Sequence, residues 1–572
     1  MFRTKYLDYD ELNAQLSTWA KEYPDLARVT SIGRTAEGRD IPLIAIGRDL
    51  HDARPAVWVD GNMHASELCG SSVALAIAED VIAIHKGGKK GAAAGLPPHM
   101  AEAIREMIFY IVPRISPDGA EAVLKTGRYV RSSPMDERRN KGHAYWESAD
   151  IDGDGRVGYM RVVSPDGELV ELKDENGAIV VPGALVPRQP EDPGPYYKLY
   201  PEGRIANFDG RRIPDPYFLS DNQVDFNRNF PYQWAPEPEQ EGAGHFPGSA
   251  PETQAIMRFI TAHPHIFAWL NLHTFGGVLI RPLGDKADHK MDQGDLAVFR
   301  QVEAWMTQFT GYPSVSGFHE FLYLPETPIK GDMTDYAYHQ RGCIAYVVEL
   351  WDIFHQLGIE RKKPFVDHYT HLDRKDFVAL AKWDRDVNQG RIFRPWRKVP
   401  HPQLGEVEVG GLDTGIGISN PPYEKLGEVC ATQSAAFLRV AALVPWVSVE
   451  VVRREKTGED HTRIELRVAN RGYLGTYGLP SARTLPHCEP LRLTAQCEGN
   501  LTLVAPGESV VQIGHLDGWG TGLYGGISIF APWTRGNAHE KFVTLVVRGH
   551  GKLGIKVGSC RVGYQTLEID VA

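Results

Sequence analysis

The stretch Asp60–Glu67, with the sequence DGNMHASE, lies between the apolar run Ala56–Val59 and the segment Ser71–Asp80. The apolar run has high β-propensity and predicts a buried strand, whereas the small and apolar residues of the later segment predict a helix. His64 and Glu67 are therefore expected on the turn after the carboxyl end of a strand, where open α/β sheets bind ligands. An imidazole and a carboxylate three residues apart can bind one metal ion.

Further strand-like runs alternate with helical segments on both sides of this stretch. Ile108–Val112, Phe267–Leu272 and Ala345–Leu350 predict buried strands, and Asp292–Phe309 predicts a long amphipathic helix. This alternation indicates an α/β sandwich around a largely parallel sheet. The sequence SPDG at Ser116–Gly119, after one of these strands, predicts a tight turn.

The chain is predicted to have three parts. Residues 1–400 form the α/β domain, interrupted by a long insertion at about 132–222, where Pro, Gly and charged residues replace the regular pattern. Residues 401–445 form a linker and a helix. Residues 446–572 contain short alternating runs separated by turns, which predict a β-sandwich.

The composition is that of a soluble globular protein, with 42% hydrophobic and 24% charged residues in a chain of 572. The formal net charge of −11 disfavours a nucleic acid or an anionic membrane as partner. No apolar run reaches the length of a membrane span, and the N-terminus lacks the apolar core of a signal peptide. The sequence as written therefore predicts a cytoplasmic protein, or a secreted one if a signal has been removed. Its six cysteines form no CxxC pair and are expected to be reduced.

A second histidine, His273, follows the apolar strand Phe267–Leu272. Together with His64 and Glu67 it would provide two nitrogens and one carboxylate, a ligand set that catalytic zinc sites use while keeping one position open. Glu349 lies near the end of another apolar strand. Burying a carboxylate there costs free energy unless the group is paired, protonated or faces a polar cavity. A general base that faces an active-site cavity would meet this condition.

Amide and basic side chains suited to binding anions occur in two other segments. Asn227 and Arg228 lie side by side in Asp225–Phe230 and could hold a carboxylate through two hydrogen bonds. Arg128 and Arg131 could face an oxyanion. Each arginine taken singly could equally be a solvated surface residue.

Asp150, Asp152 and Asp154 alternate in the segment DIDGDGR inside the insertion. The alternation resembles the first half of a calcium-binding loop, in which oxygen ligands at the first, third and fifth positions converge on the ion. Arg161 occupies the position of that loop's bidentate glutamate. Calcium binding and a metal-free Asx turn are therefore both open.

In combination and order, these motifs resemble the zinc metallocarboxypeptidase family of carboxypeptidases A, B and T, over about Tyr9–Asp352. The residues that carry the resemblance are His64-x-x-Glu67, Pro117-Asp118-Gly119, Arg128-x-x-Arg131, Asp225-x-Asn227-Arg228-Asn229, His273 and Glu349. The resemblance implies a three-layer α/β/α sandwich around a twisted, mixed eight-stranded sheet, here followed by the C-terminal β-sandwich.

The resemblance also implies a metal centre. His64, Glu67 and His273 would bind Zn²⁺, and Asp225 would orient the imidazole of His64 without contacting the metal. Glu349 would activate the zinc-bound water.

The same resemblance implies how a substrate is held. Arg131, helped by Arg128, would stabilise the oxyanion of the tetrahedral intermediate. Asn227 and Arg228 would bind the free C-terminal carboxylate of a peptide substrate, which restricts cleavage to the last peptide bond.

Three positions depart from the family pattern. Ser66 stands where many members carry an arginine. The mobile tyrosine of the substrate pocket has no clear counterpart, and Tyr323 is the candidate. The position that sets side-chain preference falls on Thr334, which is neither apolar, as in the A type, nor aspartate, as in the B type. Asp332 lies close by and could select a basic side chain, so the preference is open.

The sequence thus predicts a zinc-dependent metallocarboxypeptidase. The nearest alternative keeps this chemistry but is an amidase of cell-wall peptides or a deacylase of N-acyl amino acids. A catalytically inactive binding protein on the same scaffold is a further alternative. The C-terminal region could bind a partner or simply cap the catalytic domain, and nothing in its sequence decides between these roles.

Overall fold

The computed structural model describes residues 1–51, 53–88, 95–135, 142–216, 224–324, 327–520, 522 and 536–572. Up to the insertion, helices and strands alternate. They are α1 (Tyr9–Glu22), β1 (Ala27–Arg34), β2 (Asp40–Ile46), β3 (Ala56–Gly61), α2 (Cys69–His85), α3 (Pro98–Arg105), β4 (Ile108–Val112) and α4 (Pro117–Thr126). In the described residues of the insertion, the elements are short strands. They are β5 (Tyr145–Ser148), β6 (Tyr159–Val163), β7 (Leu169–Glu171), β8 (Leu185–Pro187), β9 (Tyr197–Pro201) and β10 (Gly203–Ala206).

Helices and strands alternate again after the insertion. They are α5 (Pro251–Ala262), β11 (Ile266–Thr274), β12 (Val278–Arg281), α6 (Gln293–Thr310), β13 (Ser314–Ser316), α7 (Gly317–Glu320), α8 (Met333–Arg341), β14 (Ile344–Leu350), α9 (Ile353–Gln356), α10 (Asp367–Thr370) and α11 (Arg374–Asp386). The remainder is mostly β-structure. Its elements are β15 (Phe393–His401), β16 (Gly405–Leu412), α12 (Tyr423–Ala441), β17 (Val447–Lys456), β18 (His461–Asn470), β19 (Leu491–Gly499), β20 (Thr502–Ala505), β21 (Val510–Gly514), β22 (Glu540–Arg548), β23 (Gly551–Ser559) and β24 (Gly563–Val571).

The central sheet has eight strands in the order β1-β2-β4-β3-β11-β14-β12-β13. The inner strands β4, β3, β11 and β14 are parallel to one another, as the alternation of strands and helices predicted. Antiparallel neighbours lie toward the edges, where β1 pairs with β2, β2 with β4, and β12 with β14. The sheet is therefore mixed, and the predicted fold class is confirmed.

Alternate side chains of the inner strands fill two cores, one on each face of the sheet. On β3, Val57 and Val59 pack into the core formed with α1, α2, α6 and α12. Trp58, which points to the other face, packs with Ile256 of α5 and Tyr336 of α8. Because both faces are covered by helices, the inner strands are apolar along most of their length, and the domain is an α/β/α sandwich.

Strands from the insertion form a second sheet together with a hairpin from much later in the chain. Its order is β15-β16-β6-β9-β7-β8, with β16 pairing antiparallel with β6. β5 and β10 form a separate two-stranded ribbon. The helix α12, which follows the hairpin, packs against α2 and α6. Residues 401–445 are thus part of the packed structure, while the division of the chain into three domains stays a prediction.

Two four-stranded sheets form the C-terminal β-sandwich, in the orders β17-β18-β22-β20 and β21-β19-β23-β24. Leu466 of one sheet and Leu553 of the other lie in the same core. The fully buried Arg561 joins this sandwich to the α/β domain, because its guanidinium donates to the carbonyls of Pro264 and Gly342 at 2.9 Å each. These carbonyls precede β11 and β14, so the sandwich is attached at the amino ends of the strands.

The sequence SPDG at Ser116–Gly119 is not an isolated turn, because Pro117 begins α4. Proline suits the first helical position, where its missing N–H would have had no partner, and an acidic residue such as Asp118 is favourable in the first turn. The interpretation of this segment as a turn was therefore wrong.

Two features of the whole chain bear on the compositional predictions. All six cysteines are free thiols. Among the residues that the structure describes, no helix is both long enough and apolar enough to cross a bilayer.

Candidate active site

The turn that carries His64 depends on the glycines at 61 and 70 and on the left-handed backbone of Asn62. Asn62 has φ of 56°, a conformation that asparagine tolerates, and its amide donates to two carbonyls of the turn. A Cβ on Gly61 would lie 2.5 Å from the backbone of Gly70, so only glycine lets α2 start this close to the strand end. The turn thus holds His64 and Glu67 at the carboxyl end of β3.

Three side chains converge as the sequence predicted. Nδ1 of His64 lies 2.8 Å from Oε1 of Glu67 and 3.0 Å from Nδ1 of His273. Nδ1 of His273 lies 3.0 Å from Oε2 of Glu67, and all three residues are buried. Ligand atoms about 2.0–2.2 Å from one zinc ion would have similar separations. Two imidazole nitrogens and a carboxylate therefore fit Zn²⁺ in both chemistry and spacing.

A hydrogen bond at the far nitrogen orients each imidazole. Nε2 of His64 lies 3.1 Å from Oδ1 of Asp225, the contact that the sequence analysis expected. Nε2 of His273 lies 2.6 Å from Oδ1 of Asn271. A proton on each Nε2 leaves the lone pair of each Nδ1 available for a metal ion.

Asn271 is in turn held by the buried carboxylate of Asp60. Its amide nitrogen lies 2.5 Å from Oδ1 of Asp60, while Oδ2 accepts the indole N–H groups of Trp58 and Trp269 at 2.6 and 2.8 Å. Burial raises the pKa of Asp60 to about 7. This pair was not predicted from the sequence, although Asn271 is a polar residue in an apolar strand, two positions from His273 and hence on the same face.

Arg131 is fixed next to the metal-binding residues by an ion pair. Its Nε and Nη2 atoms lie 3.0 and 2.9 Å from Oδ2 of Asp225, and its Nη1 atom lies 3.6 Å from Oε1 of Glu67. Burial alone would raise the pKa of Asp225, but Arg131 and His64 hold it well below its ordinary value. Asp225 therefore stays ionised and positions both an imidazole and a guanidinium.

Glu349 is placed next to this centre by strand register. It lies beside His273 in the parallel pairing of β11 with β14 and lines the same cavity as the metal-binding residues. Burial and the negative charge of Glu67 raise the pKa of Glu349 well above its ordinary value. The carboxylate thus has the raised basicity that proton transfer requires.

Asn227 and Arg228 lie in a short turn that Asp225 stabilises. The N–H of Asn227 donates to Oδ1 of Asp225 at 2.7 Å, and its side-chain oxygen accepts the N–H of Met333 at 2.8 Å. Arg228 donates to the carbonyl of Asn227 at 2.7 Å, and no described carboxylate forms an ion pair with it. Its guanidinium can therefore bind an incoming anion.

One cavity of about 820 Å³ brings most of the predicted residues together. Those that line it are His64, Glu67, Arg131, Asn227, Arg228, His273, Tyr323, Thr334 and Glu349. Tyr323 is exposed, whereas Thr334 is buried and its hydroxyl has no partner among the described residues. Arg128 is not part of the lining, because its guanidinium reaches the carbonyl of Pro134 instead, at 3.4 Å.

Ser66, which replaces an arginine of the family pattern, forms hydrogen bonds with the backbone of Val130. Its hydroxyl accepts the N–H of Val130 at 2.9 Å and lies 3.0 Å from the carbonyl of the same residue. It therefore links the metal-binding turn to the segment that carries Arg131, and it adds no charge to the cavity.

The aspartates of the insertion are bound by groups of the protein itself. Asp150 accepts the N–H groups of Gly153 and Gly155 at 2.7 and 2.8 Å, which is the Asx-turn alternative. The neighbouring carboxylates form ion pairs with arginines. These pairs are Asp152–Arg397 and Asp154–Arg394. Oxygens of Asp150, Asp152 and Glu202 lie within 4.8 Å of one another, but the guanidinium of Arg397 already neutralises Asp152, and calcium has no support.

Comparisons with known proteins place most of these residues in one family. A family model described as zinc carboxypeptidase matches residues 12–154 and 207–362, just over half of the chain. A model described as a domain of unknown function matches residues 447–570. Residues 155–206, most of the insertion, lie outside both matches.

Individual relatives match parts of the chain only. Carboxypeptidase B of Astacus astacus is 33% identical over 116 residues, which are 20% of this chain and 34% of that protein. Inactive metallocarboxypeptidase ECM14 of Ajellomyces dermatitidis is 29% identical over 133 residues, 22% of this chain and 21% of that protein. The chain thus spans about a third or less of the length of these relatives. The crystal structure of carboxypeptidase A from Helicoverpa armigera has 17% identity and a TM-score of 0.39, covering 68% of this chain and 76% of that one.

The family match includes both histidines, the carboxylate between them, Glu349 and the segment with Asn227 and Arg228. The chain belongs to the zinc carboxypeptidase family.

Proposed function

We propose that this protein is a zinc-dependent metallocarboxypeptidase that hydrolyses the C-terminal peptide bond of peptides. The observation that carries the proposal is the shared cavity. A metal-binding triad, a carboxylate of raised basicity and two arginines all face one space, and a peptide end has groups that match each of them.

The chemistry divides between the metal and the protein. Zinc, when bound, would act as a Lewis acid on the scissile carbonyl and make a water molecule more acidic. Glu349 would take a proton from the attacking water onto its carboxylate and later deliver it to the leaving amine. Arg131, held by Asp225, would donate hydrogen bonds to the oxygen on which negative charge develops.

Arg228 and Asn227 would make the enzyme an exopeptidase. The guanidinium of Arg228 lines the cavity without a described carboxylate partner, so an unpaired charge is available for the substrate's terminal carboxylate. An internal peptide bond has no such carboxylate to offer. Binding therefore favours cleavage at the chain end.

Two buried carboxylates at the cavity wall favour a basic C-terminal side chain. Asp332 and Asp335 are 8% and 1% exposed, and Oδ2 of the first and Oδ1 of the second have no hydrogen-bond partner among the described residues. Both carboxylates lie next to Gly284 at the cavity wall, because Oδ2 of Asp335 accepts the N–H of Gly284 at 3.0 Å and a Cβ on this glycine would lie 3.6 Å from Oδ2 of Asp332. Burial raises the pKa of both groups, and an ammonium or guanidinium would offset that cost.

The test is hydrolysis of N-blocked dipeptides that end in Lys, Arg, Leu or Glu, with and without a zinc chelator. Wild type and Glu349→Gln would be compared, with Glu568→Gln on the surface strand β24 as the control. Loss of proton transfer is expected to lower kcat about 10²–10⁴-fold in Glu349→Gln and not in the control.

Chelator-sensitive release of the last residue by wild type would support the proposal. A zinc-loaded wild type that releases no residue from any dipeptide would overturn it. Cleavage of N-acyl amino acids in the absence of dipeptide cleavage would point instead to a deacylase.

A further inference from the structure

The cavity extends well beyond the metal centre along an apolar wall. The wall, here called the apolar gallery, consists of partly exposed side chains that line the same cavity as Glu349. They are Leu169, Leu185, Leu199 and Trp396, all from strands of the second sheet. The family match covers residues 12–154 and 207–362, so every one of these residues lies outside it. The gallery is therefore an addition that this chain makes to the family's domain.

The register of the second sheet explains why leucines face the cavity. Leu185 on β8 pairs with Glu171 on β7, one position from the Val170–Val186 pair. Val170 and Val186 are buried against Ile353 of α9. Because neighbouring residues of a strand point to opposite faces, Leu185 is directed away from that core and into the open space.

Trp396 is held rigidly as part of this wall. The guanidinium of Arg161 lies 4.6 Å from the ring of Trp396 and 3.9 Å from the ring of Tyr197. The charge of Arg161 is paired with Glu408 at 2.7 Å and Glu171 at 3.3 Å, so it does not make the gallery cationic. A preformed apolar surface binds a partner at low entropic cost.

The hairpin that carries Trp396 continues into a segment that is bonded to the turn with His64. The segment after β16 is bonded to the metal-binding turn, because the amide of Asn420 donates to the carbonyl of Ser66 at 2.8 Å, and Trp351 donates to the carbonyl of Gly417 at 2.8 Å. Asn227, by contrast, is bonded to Met333 at the start of α8. Asn227 and the gallery line one cavity, so a peptide whose last residue is bound by Asn227 can extend its preceding residues within that cavity to the gallery.

We infer that the gallery is a binding site for apolar side chains of the peptide residues that precede the scissile bond. This inference rests on the proposed function. A peptide is favoured over a simple acyl chain because Tyr129, Thr414 and Ser419, which carry hydroxyls, line the same cavity as the apolar groups. Those hydroxyls can bond peptide groups, whereas an acyl chain has nothing for them beyond its first carbonyl.

The test separates binding from catalysis. N-acetylated tetrapeptides ending in Ala-Lys, with Gly-Gly, Ala-Ala or Leu-Leu before that pair, would be titrated calorimetrically into zinc-loaded Glu349→Gln, and kcat/KM would be measured for wild type. Leu-Leu is expected to bind at least tenfold more tightly than Gly-Gly, because each leucine buries apolar surface. Octanoyl-lysine would be titrated as the acyl-chain probe.

Two variants and a control locate the effect. Leu185→Asn and Leu199→Asn should each remove most of the preference for Leu-Leu while retaining zinc and affinity for Gly-Gly. Val163→Asn changes an apolar residue of the same sheet that is 64% exposed and not part of the lining, and it should keep the preference.

Equal affinity for Gly-Gly and Leu-Leu, or an equal loss in Val163→Asn, would overturn the inference. Tight binding of octanoyl-lysine without a preference among the tetrapeptides would also overturn it. A preference seen in binding without any hydrolysis by wild type would refute the proposed function and leave the gallery supported.

Discussion

Replacing Asn271 by leucine is expected to weaken zinc binding ten- to a hundredfold. The amide of Asn271 links Nε2 of His273, at 2.6 Å, to the buried carboxylate of Asp60, at 2.5 Å. Leucine has a similar size but cannot accept the imidazole N–H, so His273 loses the bond that orients it. Loss of such an outer partner typically costs about 10–100-fold in metal affinity, or about 1.4–2.8 kcal/mol.

The same substitution should also lower the free energy of unfolding by about 1–3 kcal/mol, because Asp60 keeps its two indole donors but loses the amide. Asn388→Leu is the matched control, since Asn388 is fully buried and donates to Asp384 at 2.8 Å, away from the metal centre. Zinc affinity would be measured by competition with a chromophoric chelator, and stability by urea unfolding of the metal-free proteins. If Asn271→Leu loses stability as the control does but binds zinc as tightly as wild type, Asn271 does not orient His273 for the metal.

Three further changes test other parts of the site and fold. Arg228→Gln should raise KM for peptides about tenfold or more at unchanged zinc affinity, because a charged hydrogen bond to the terminal carboxylate is lost. An unchanged KM would show that Arg228 does not bind this carboxylate. Asp332→Asn should lower kcat/KM for C-terminal Lys relative to Leu about tenfold, and a constant ratio would exclude a cation site there. Burial lowers the pKa of His265 from 6.5 to about 3. The neutral imidazole therefore contributes to the free energy of unfolding above pH 6.5, and this contribution is lost as the pH falls toward 3. The loss amounts to about 2 kcal/mol by pH 5. His265→Gln should reduce the fall in Tm between pH 7.5 and 5, and an unchanged fall would show that other groups cause it.

The metal triad could be predicted because each of its residues follows a strongly apolar strand. Such runs identify buried strands locally, and the carboxyl ends of neighbouring parallel strands meet at one edge of a sheet. His64 and His273 were therefore expected together before any distance was known. The segment at Pro117 was misread for the converse reason, because proline followed by aspartate is typical both of turns and of helix starts.

The residues that hydrogen-bond to the triad could not be predicted from local sequence patterns. Asp225 was expected only through the family resemblance, and the link from His273 to Asp60 was not expected at all. The bond between Asn271 and Asp60 depends on the register of β11 against β3, which places these residues directly opposite each other. Register is determined by packing across the whole sheet rather than by either strand alone.

The strand-turn-helix pattern around Asp60–Glu67, the candidate zinc ligands and the alternation typical of an α/β sandwich could be predicted from sequence, because they follow from local propensity and side-chain chemistry. The tertiary structure alone shows that the hairpin Phe393–Leu412 pairs with a strand more than two hundred residues earlier and that the two together line the cavity. The pairing of β16 with β6 arises from backbone hydrogen bonds and burial between distant segments, for which neither segment carries a local signal.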